Sequence, residues 1–383
     1  MSAKKVAIVS ESMPHFYNSG VGVVIEECLA AIANNGWESL LIGPAFPGCK
    51  DHAGVWIPSA KIARGYRTTA ATGFLYFQSL KKHLADIDIV HIHSISSLTF
   101  LMLDIISTME RRPKVILHLH TQADEYLRKW GMGVWSALMN DVVGRYCAEK
   151  TDMVIVPTDF FREIAETSYG LTDSRVWTAP ISLPDKMKTT ASKAELIESL
   201  GLGLSPEASL LYYIGRVGPE KNLDFLFEVM KALQGEDVGL IVTGGGMIDR
   251  YRSKLPPDIR RKVGFLGQQP REVGIGLCSN MSMGLTASTT ETQGVALLEQ
   301  MAMSLPVIAP MFTCFDQPIT ESGGGEILDL DPALWAKAIR CYMHQPTLSR
   351  DSGRCGAQYV RAKYSRETQH GKLIAIYEEV LGG

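Results

Sequence analysis

"SLLYYIGRVGPEKNLDFLFEVMKAL", residues 209–233, reads as a strand, a glycine-bounded turn and a helix in direct succession. Residues 209–216 form a short continuous apolar run, the pattern of a strand buried on both faces. The run ends at Gly215-Arg216, a Gly-Pro turn follows, and 222–233 reads as a helix. Downstream, 238–246, 262–267, 281–288 and 306–310 are further strands. Upstream the same alternation has already run once. Residues 5–10, 38–44, 87–94, 113–121 and 152–158 read as strands, and 22–36 as a helix stopped by Gly36. Apolar strands alternating with helices imply a parallel sheet covered on both faces. The stretch 179–209 between the two series is rich in Pro, Ser and Thr and carries one short helix. The expected fold is therefore α/β, with two doubly wound domains facing each other across a cleft. Their expected bounds are 1–183 and 209–364, with a linker over 184–208 and a closing helix over 365–383. In such sheets ligands bind beyond the carboxyl ends of the strands.

The totals agree with a globular enzyme-sized protein. The 383 residues suffice for two ordinary domains, and 46% hydrophobic with 21% charged residues is not a disordered composition. A net charge of -3 gives no electrostatic case for nucleic acid. Seven cysteines without a C-x-x-C pair point to a reduced, cytoplasmic protein and speak against zinc. The start, "MSAKKVAIVSES", is too briefly apolar for a signal peptide. The longest apolar stretch, 95–106, is interrupted by Asp104 and is too short for a membrane span. A peripheral position on the cytoplasmic membrane face stays compatible.

Four segments carry residues suited to chemistry. In "FYNSGVGVVIEE", 16–27, a Gly-x-Gly at Gly20 and Gly22 opens a helix, where backbone amides and the helix dipole favour an anion. The third glycine of a dinucleotide fingerprint is Ile25, so the loop serves either a phosphate or a tight turn. In 213–226, Arg216 and Lys221 follow a strand's end at Gly215, placed to hold a diphosphate or to remain surface charges, one of them paired with Glu220. In "LHLHTQADEY", 117–126, His118 and His120 are read as pointing to opposite faces of a strand, with His120 at its end. His91 and His93 of "DIVHIH" are read as structural. The fourth segment is "ETQGVALLE", 291–299: Glu291 sits in a loop, the amides of Thr292, Gln293 and Gly294 open a helix, and Glu299 lies within it. Carboxylates accept hydrogen bonds from vicinal hydroxyls, so two at this separation suit two sugar rings, a transferred hexose and a ribose. The pairs Asp86/Asp88 and Asp329/Asp331 have the D-x-D spacing of a divalent-ion site, but the first precedes a buried strand and the second reads as a turn. No metal is assigned.

These residues, in this order, resemble the retaining GT-B glycosyltransferases of family 4. The likeness rests on the E-x7-E of Glu291 and Glu299, the G-R-x4-K of Gly215, Arg216 and Lys221, the Ser19-Gly20-Val21-Gly22 loop and the strand-end His120-Thr121. The stretches 120–158 and 290–310 look like those of diacylglycerol glucosyl- and sulfoquinovosyltransferases. Leu305 and "PIS" at 180–182 depart from the usual pattern. The resemblance implies two Rossmann-like domains, with the nucleotide sugar held by the C-terminal one and the acceptor by the N-terminal one. It implies that Arg216 and Lys221 neutralise the diphosphate, Glu291 holds sugar hydroxyls and Glu299 the ribose. His120 would stand by the donor sugar, the amides near Gly20 by the phosphates, and the last helix on the first domain. The expected co-substrate is UDP-glucose, with no metal or other cofactor.

A further feature concerns the acceptor. Residues 52–85 lack Asp and Glu but hold Lys61, Arg64, Arg67, Lys81 and Lys82 among Trp56, Tyr66, Phe74, Tyr76 and Phe77. Basic and aromatic residues together suit an anionic lipid surface, and equally a solvated loop and helix. The expected reaction is retaining transfer of a hexose to a membrane lipid such as diacylglycerol. The rivals are a soluble acceptor, another chemistry on the same scaffold, and an inactive sugar-nucleotide-binding module.

Overall fold

The computed structural model describes residues 3–11, 20–45, 53–63, 66–68, 73–122, 125, 128–129, 131, 146–184, 186 and 191–383. The chain divides into two compact units, Met1–Pro180 with Arg366–Gly383, and Ile181–Ser365.

The first unit is built on nine strands: β1 Lys5–Val9, β2 Glu38–Pro44, β3 Val55–Ile57, β4 Ala60–Ala63, β5 Tyr66–Thr68, β6 Ile89–His93, β7 Lys114–His118, β8 Met153–Val156 and β9 Ser174–Val176. Seven form one sheet in the order β3-β2-β1-β6-β7-β8-β9, every pair parallel, while β4 and β5 make a separate antiparallel pair. The apolar runs are continuous because both faces are covered. Ala7, Val9, Val90 and Ile92 pack with Leu98, Met102 and Ile105 of the helix Ser97–Ser107. Val6, Ile8, Ile89 and Ile116 face the other way, onto Val24, Ile25 and Cys28 of the helix Gly20–Asn34. The closing helix, Arg366–Gly382, joins that second layer through Leu373, Ile376 and Tyr377. Buried Glu27 fastens it, accepting from Arg366 Nη2 at 2.9 Å and lying 2.9 Å from His370 Nε2.

Period two along a strand puts residues i and i+2 on one face. This corrects the expectation for His118 and His120. They share a face, with ring centroids 3.9 Å apart, and β6 delivers His91 and His93 to the same side.

The second unit has six strands, β10 Ser209–Ile214, β11 Val238–Thr243, β12 Val263–Gly267, β13 Met283–Leu285, β14 Val307–Pro310 and β15 Gly325–Leu328. They form one parallel sheet in the order β12-β11-β10-β13-β14-β15. Numbered within the unit this is 3-2-1-4-5-6, the Rossmann order. The stretch set apart as a linker, 184–208, falls in this unit. Its helix Lys193–Ser199 starts in a capping box, with Ser192 accepting from the Glu195 amide, and buries Leu196 and Ile197 against Leu210, Tyr212 and Ile241.

The short strands β3, β9 and β15 were not expected. They lie at sheet edges or near them, and three or four residues give too little pattern to read. Three of the four carboxylates in the two D-x-D pairs are spent structurally. Asp88 accepts from the Lys5 amide and Arg111, Asp86 from Lys5 Nζ, and Asp331 caps the helix Pro332–His344. Among the described residues no helix is long and apolar enough to cross a membrane.

Candidate active site

In a 3-2-1-4-5-6 sheet the strand order reverses between the first and fourth strands, opening a crevice at their carboxyl ends. Here those strands are β10 and β13. Gly215, Arg216 and the one-turn helix Pro219–Lys221 follow β10, and residues 286–294 followed by the helix Val295–Ala302 follow β13. Side chains lock the two connections together. Tyr213 Oη donates to the Arg216 carbonyl at 2.8 Å, and the Ser288 and Thr290 hydroxyls donate to the Glu220 carbonyl at 3.3 and 3.4 Å.

Three cation–carboxylate pairs occupy this end of the unit. Arg216 Nη2 lies 2.7 Å from Glu220 Oε1, whose side chain is 1% exposed, so one of the two sequence readings of Arg216, the pair with Glu220, is realised. Lys221 Nζ pairs with Glu291 Oε1, both partly buried. Arg271 donates through Nε to Glu299 Oε1 at 2.8 Å and through Nη2 to the Ser182 carbonyl at 2.6 Å. Burial raises the Glu299 carboxyl above the usual range, and Arg271 opposes that shift. The pairs balance in formal charge, each cation holding one carboxylate.

Thr292 and Gln293 are buried before the helix, and Gly294 stands at its N-cap with φ 69°. A Cβ at Gly294 would lie 1.9 Å from Cε1 of Phe315, which is itself buried. Both the left-handed backbone and the ring exclude a side chain here. Gly294→Ala is expected to destabilise the second unit by at least about 2 kcal/mol, combining left-handed strain with overpacking, read as a lower urea midpoint. An unchanged midpoint would mean that the turn can re-form without its glycine. Cys314, on the loop after β14, is fully buried, and its thiol is pushed well above the usual range by that burial and by Glu291. It is a packing group rather than a nucleophile.

The remaining candidates lie in the first unit. Gly20 opens the helix Gly20–Asn34 and is exposed. His120, partly buried, follows β7, and its Nε2 is 2.9 Å from His93 Nδ1. Lys61 and Arg67 are register partners on β4 and β5, Lys82 is exposed, and Arg64 lies outside the described residues. Lys81 keeps its charge while its Nζ donates to the Thr108 carbonyl at 2.7 Å. Ser19 and most of 123–145, which carried part of the resemblance, also lie outside the described residues.

Sequence reasoning missed Arg271 and the pairing of Lys221 with Glu291. It had no signal for either, since the partners are 28 and 70 positions apart and meet only through the sheet order.

Comparison with known proteins adds identity to this geometry. The profile "Glycosyltransferase Family 4" matches residues 18–181, and "Glycosyl transferases group 1" matches 208–345. Human alpha-1,3/1,6-mannosyltransferase ALG2 is 25% identical over 359 residues, covering 86% of this chain and 83% of that protein. The alpha-monoglucosyldiacylglycerol synthase of Acholeplasma laidlawii is 24% identical over 344 residues, 83% of each chain. The structure of Anabaena Alr3699/HepE, solved with UDP and glucose, superposes with a TM-score of 0.75 at 14% identity, covering 98% of this chain and 100% of that one. With both units matched in turn and the crevice of the second lined as described, the chain belongs to the GT-B glycosyltransferases of family 4.

Proposed function

We propose that this glycosyltransferase moves glucose from UDP-glucose to a membrane lipid such as diacylglycerol, with retention of anomeric configuration. The observation that carries the reading is the set of exchangeable pairs after β10 and β13: Arg216–Glu220, Lys221–Glu291 and Arg271–Glu299. A diphosphate would draw Lys221 and Arg216 away from their carboxylates. Glu291, released, would accept from the sugar hydroxyls, helped by the amides at Thr292, Gln293 and Gly294, and Glu299 would accept from the ribose. In the first unit, His120 would stand by the donor sugar and the Gly20 amide by the phosphates. The bond from sugar C1 to the phosphate oxygen breaks and the bond from C1 to the acceptor oxygen forms. The acceptor's proton passes to the leaving phosphate oxygen on the same face, so no separate general base or metal is required. Stabilising the departing diphosphate supplies much of the barrier lowering.

The lipid acceptor is supported by the likeness to the Acholeplasma synthase. Leu75, 79% exposed and close in sequence to exposed Lys82, adds an apolar and a basic contact suited to a membrane surface. The likeness to a mannosyltransferase favours mannose as the second reading of the sugar. The test is to incubate the protein with UDP-glucose or GDP-mannose and diacylglycerol-containing vesicles, and to identify the product by mass spectrometry and anomeric NMR. An α-glucosyl lipid supports the proposal. Transfer only from GDP-mannose, only to soluble acceptors, or with inversion overturns the corresponding part.

The two glutamates should differ in kind. Glu291→Gln is expected to lower turnover and blur discrimination between hexose epimers, leaving free UDP binding near normal. Glu299→Gln is expected to weaken UDP itself, because Glu299 also holds Arg271. Calorimetric titration of UDP separates the two, and equal losses would sink the division of roles.

A further inference from the structure

The first unit gathers four imidazoles on one face of its sheet. β6 contributes His91 and His93, and β7 with the residues after it contributes His118 and His120. His93 Nδ1 lies 2.9 Å from His120 Nε2, and the rings of His118 and His93 are centred 5.2 Å apart. His91 Nδ1 is fixed 2.8 Å from the hydroxyl of Tyr377 on the closing helix. What remains is unusual for a protein interior. His91 Nε2, His93 Nε2 and His118 Nδ1 are all buried without a hydrogen-bond partner. Each orphaned buried polar atom costs about 1–3 kcal/mol, and two of these three, on His93 and His118, belong to residues that converge with His120.

We propose that His93, His118 and His120 form a binding site for a borderline divalent metal ion of the zinc class. One nitrogen from each of the three lies within 4.8 Å of the others. Zinc–nitrogen bonds of about 2.0–2.1 Å set tetrahedral nitrogens roughly 3.4 Å apart, a spacing between the 2.9 Å of His93 Nδ1 to His120 Nε2 and the 4.8 Å within which the trio converges. Imidazole suits zinc and its neighbours in ligand softness. Burial keeps these imidazoles in the neutral form that binds metal, and for His93 and His118 the neighbouring rings add to it. His120 is the least buried of the three and gives the ion its side of entry. Cys28 with His91 and His93 makes a second converging trio, all three buried. The cysteine spacing that spoke against zinc is silent on imidazoles delivered by two neighbouring strands. The inference does not depend on which sugar the enzyme moves, but an ion on His120 would take up the imidazole that the proposed function sets beside the donor sugar.

The test uses the full chain, stripped with a chelator and then titrated with Zn2+ alone by calorimetry and with Co2+ by absorption. One ion per chain and a Co2+ spectrum of tetrahedral intensity without a thiolate charge-transfer band are expected. A strong thiolate band would move the site to the Cys28 trio and overturn the assignment. His118→Gln should weaken Zn2+ by at least about tenfold, while exposed His83→Gln should not. Should His118→Gln fail to fold, by circular dichroism, the wild-type Co2+ spectrum still decides. Absence of binding, or equal loss from both variants, overturns the proposal.

Discussion

Lys221→Ala is expected to lower turnover by ~100-fold or more, equivalent to roughly 3 kcal/mol, with a smaller loss of donor binding. On the proposed function, the magnitude is that of removing one charged donor aimed at charge that grows in the transition state. Lys221 is partly buried, so its interaction with a leaving diphosphate is less screened than that of a surface lysine. The pairing with Glu291 sharpens the expectation. Without Lys221, the Glu291 carboxylate would stand uncompensated and, on the proposed function, would repel a diphosphate bound beside it. The double variant Lys221→Ala, Glu291→Gln should therefore recover part of the donor affinity lost in the single variant, while turnover stays low. Steady-state kinetics and calorimetry on the three proteins check this together. Near-normal turnover in Lys221→Ala would place the diphosphate elsewhere.

The residues lining the crevice were legible because the chain marks strand ends plainly. β10 is an apolar run stopped at Gly215, so Arg216 and Lys221 had to lie at its carboxyl end, and β13 likewise delivers Glu291. Gly294 at the helix start was legible from the same turn chemistry. What each side chain touches was not. Glu220 was within reach of Arg216 as an i,i+4 neighbour, whereas Lys221 meets Glu291 only because β10 and β13 are adjacent in the sheet. Arg271 reaches Glu299 and Ser182 from a short helix whose sequence, "REVGIG", shows no hint of a site. The histidines show the opposite case. Strand periodicity alone places His91, His93, His118 and His120 on one side, and the reading of opposite faces missed a rule the sequence already contained. The parallel pairing of β6 with β7 was the remaining step that turns two H-x-H strings into one cluster.

That cluster has a second, larger consequence. In the presence of a chelator, the first unit is expected to lose stability steeply below about pH 6. Burial lowers His91 and His120 to about 3 and holds His93 and His118 well below the usual imidazole range, the neighbouring rings adding to the shift in all but His120. In the unfolded chain each titrates near 6.5. Between those values the unfolded state binds more protons than the folded state, so stability rises with pH and is lost as pH falls. The penalty begins as pH drops through the unfolded value and grows until the folded groups protonate. Each proton contributes about 1.4 kcal/mol per pH unit, so four approach roughly 5 kcal/mol per pH unit near pH 5. Asp86 and Glu379 of the first unit, held down by Lys5 and Arg175, share this sign, but carboxyls in the unfolded chain protonate only at about pH 4. Glu321 is held down by Lys363, but it is exposed and its unfolded form protonates only at lower pH. Glu299, raised by burial, has the opposite sign, offsets at most one proton, and lies in the second unit. Urea unfolding between pH 7 and 5, followed by hydrogen exchange of the β6 and β7 amides, measures the slope. His118→Gln should reduce it by about one proton, since glutamine does not titrate. A slope near zero over this range would mean that the imidazoles take up protons in the folded state, through water reaching the layer that covers them.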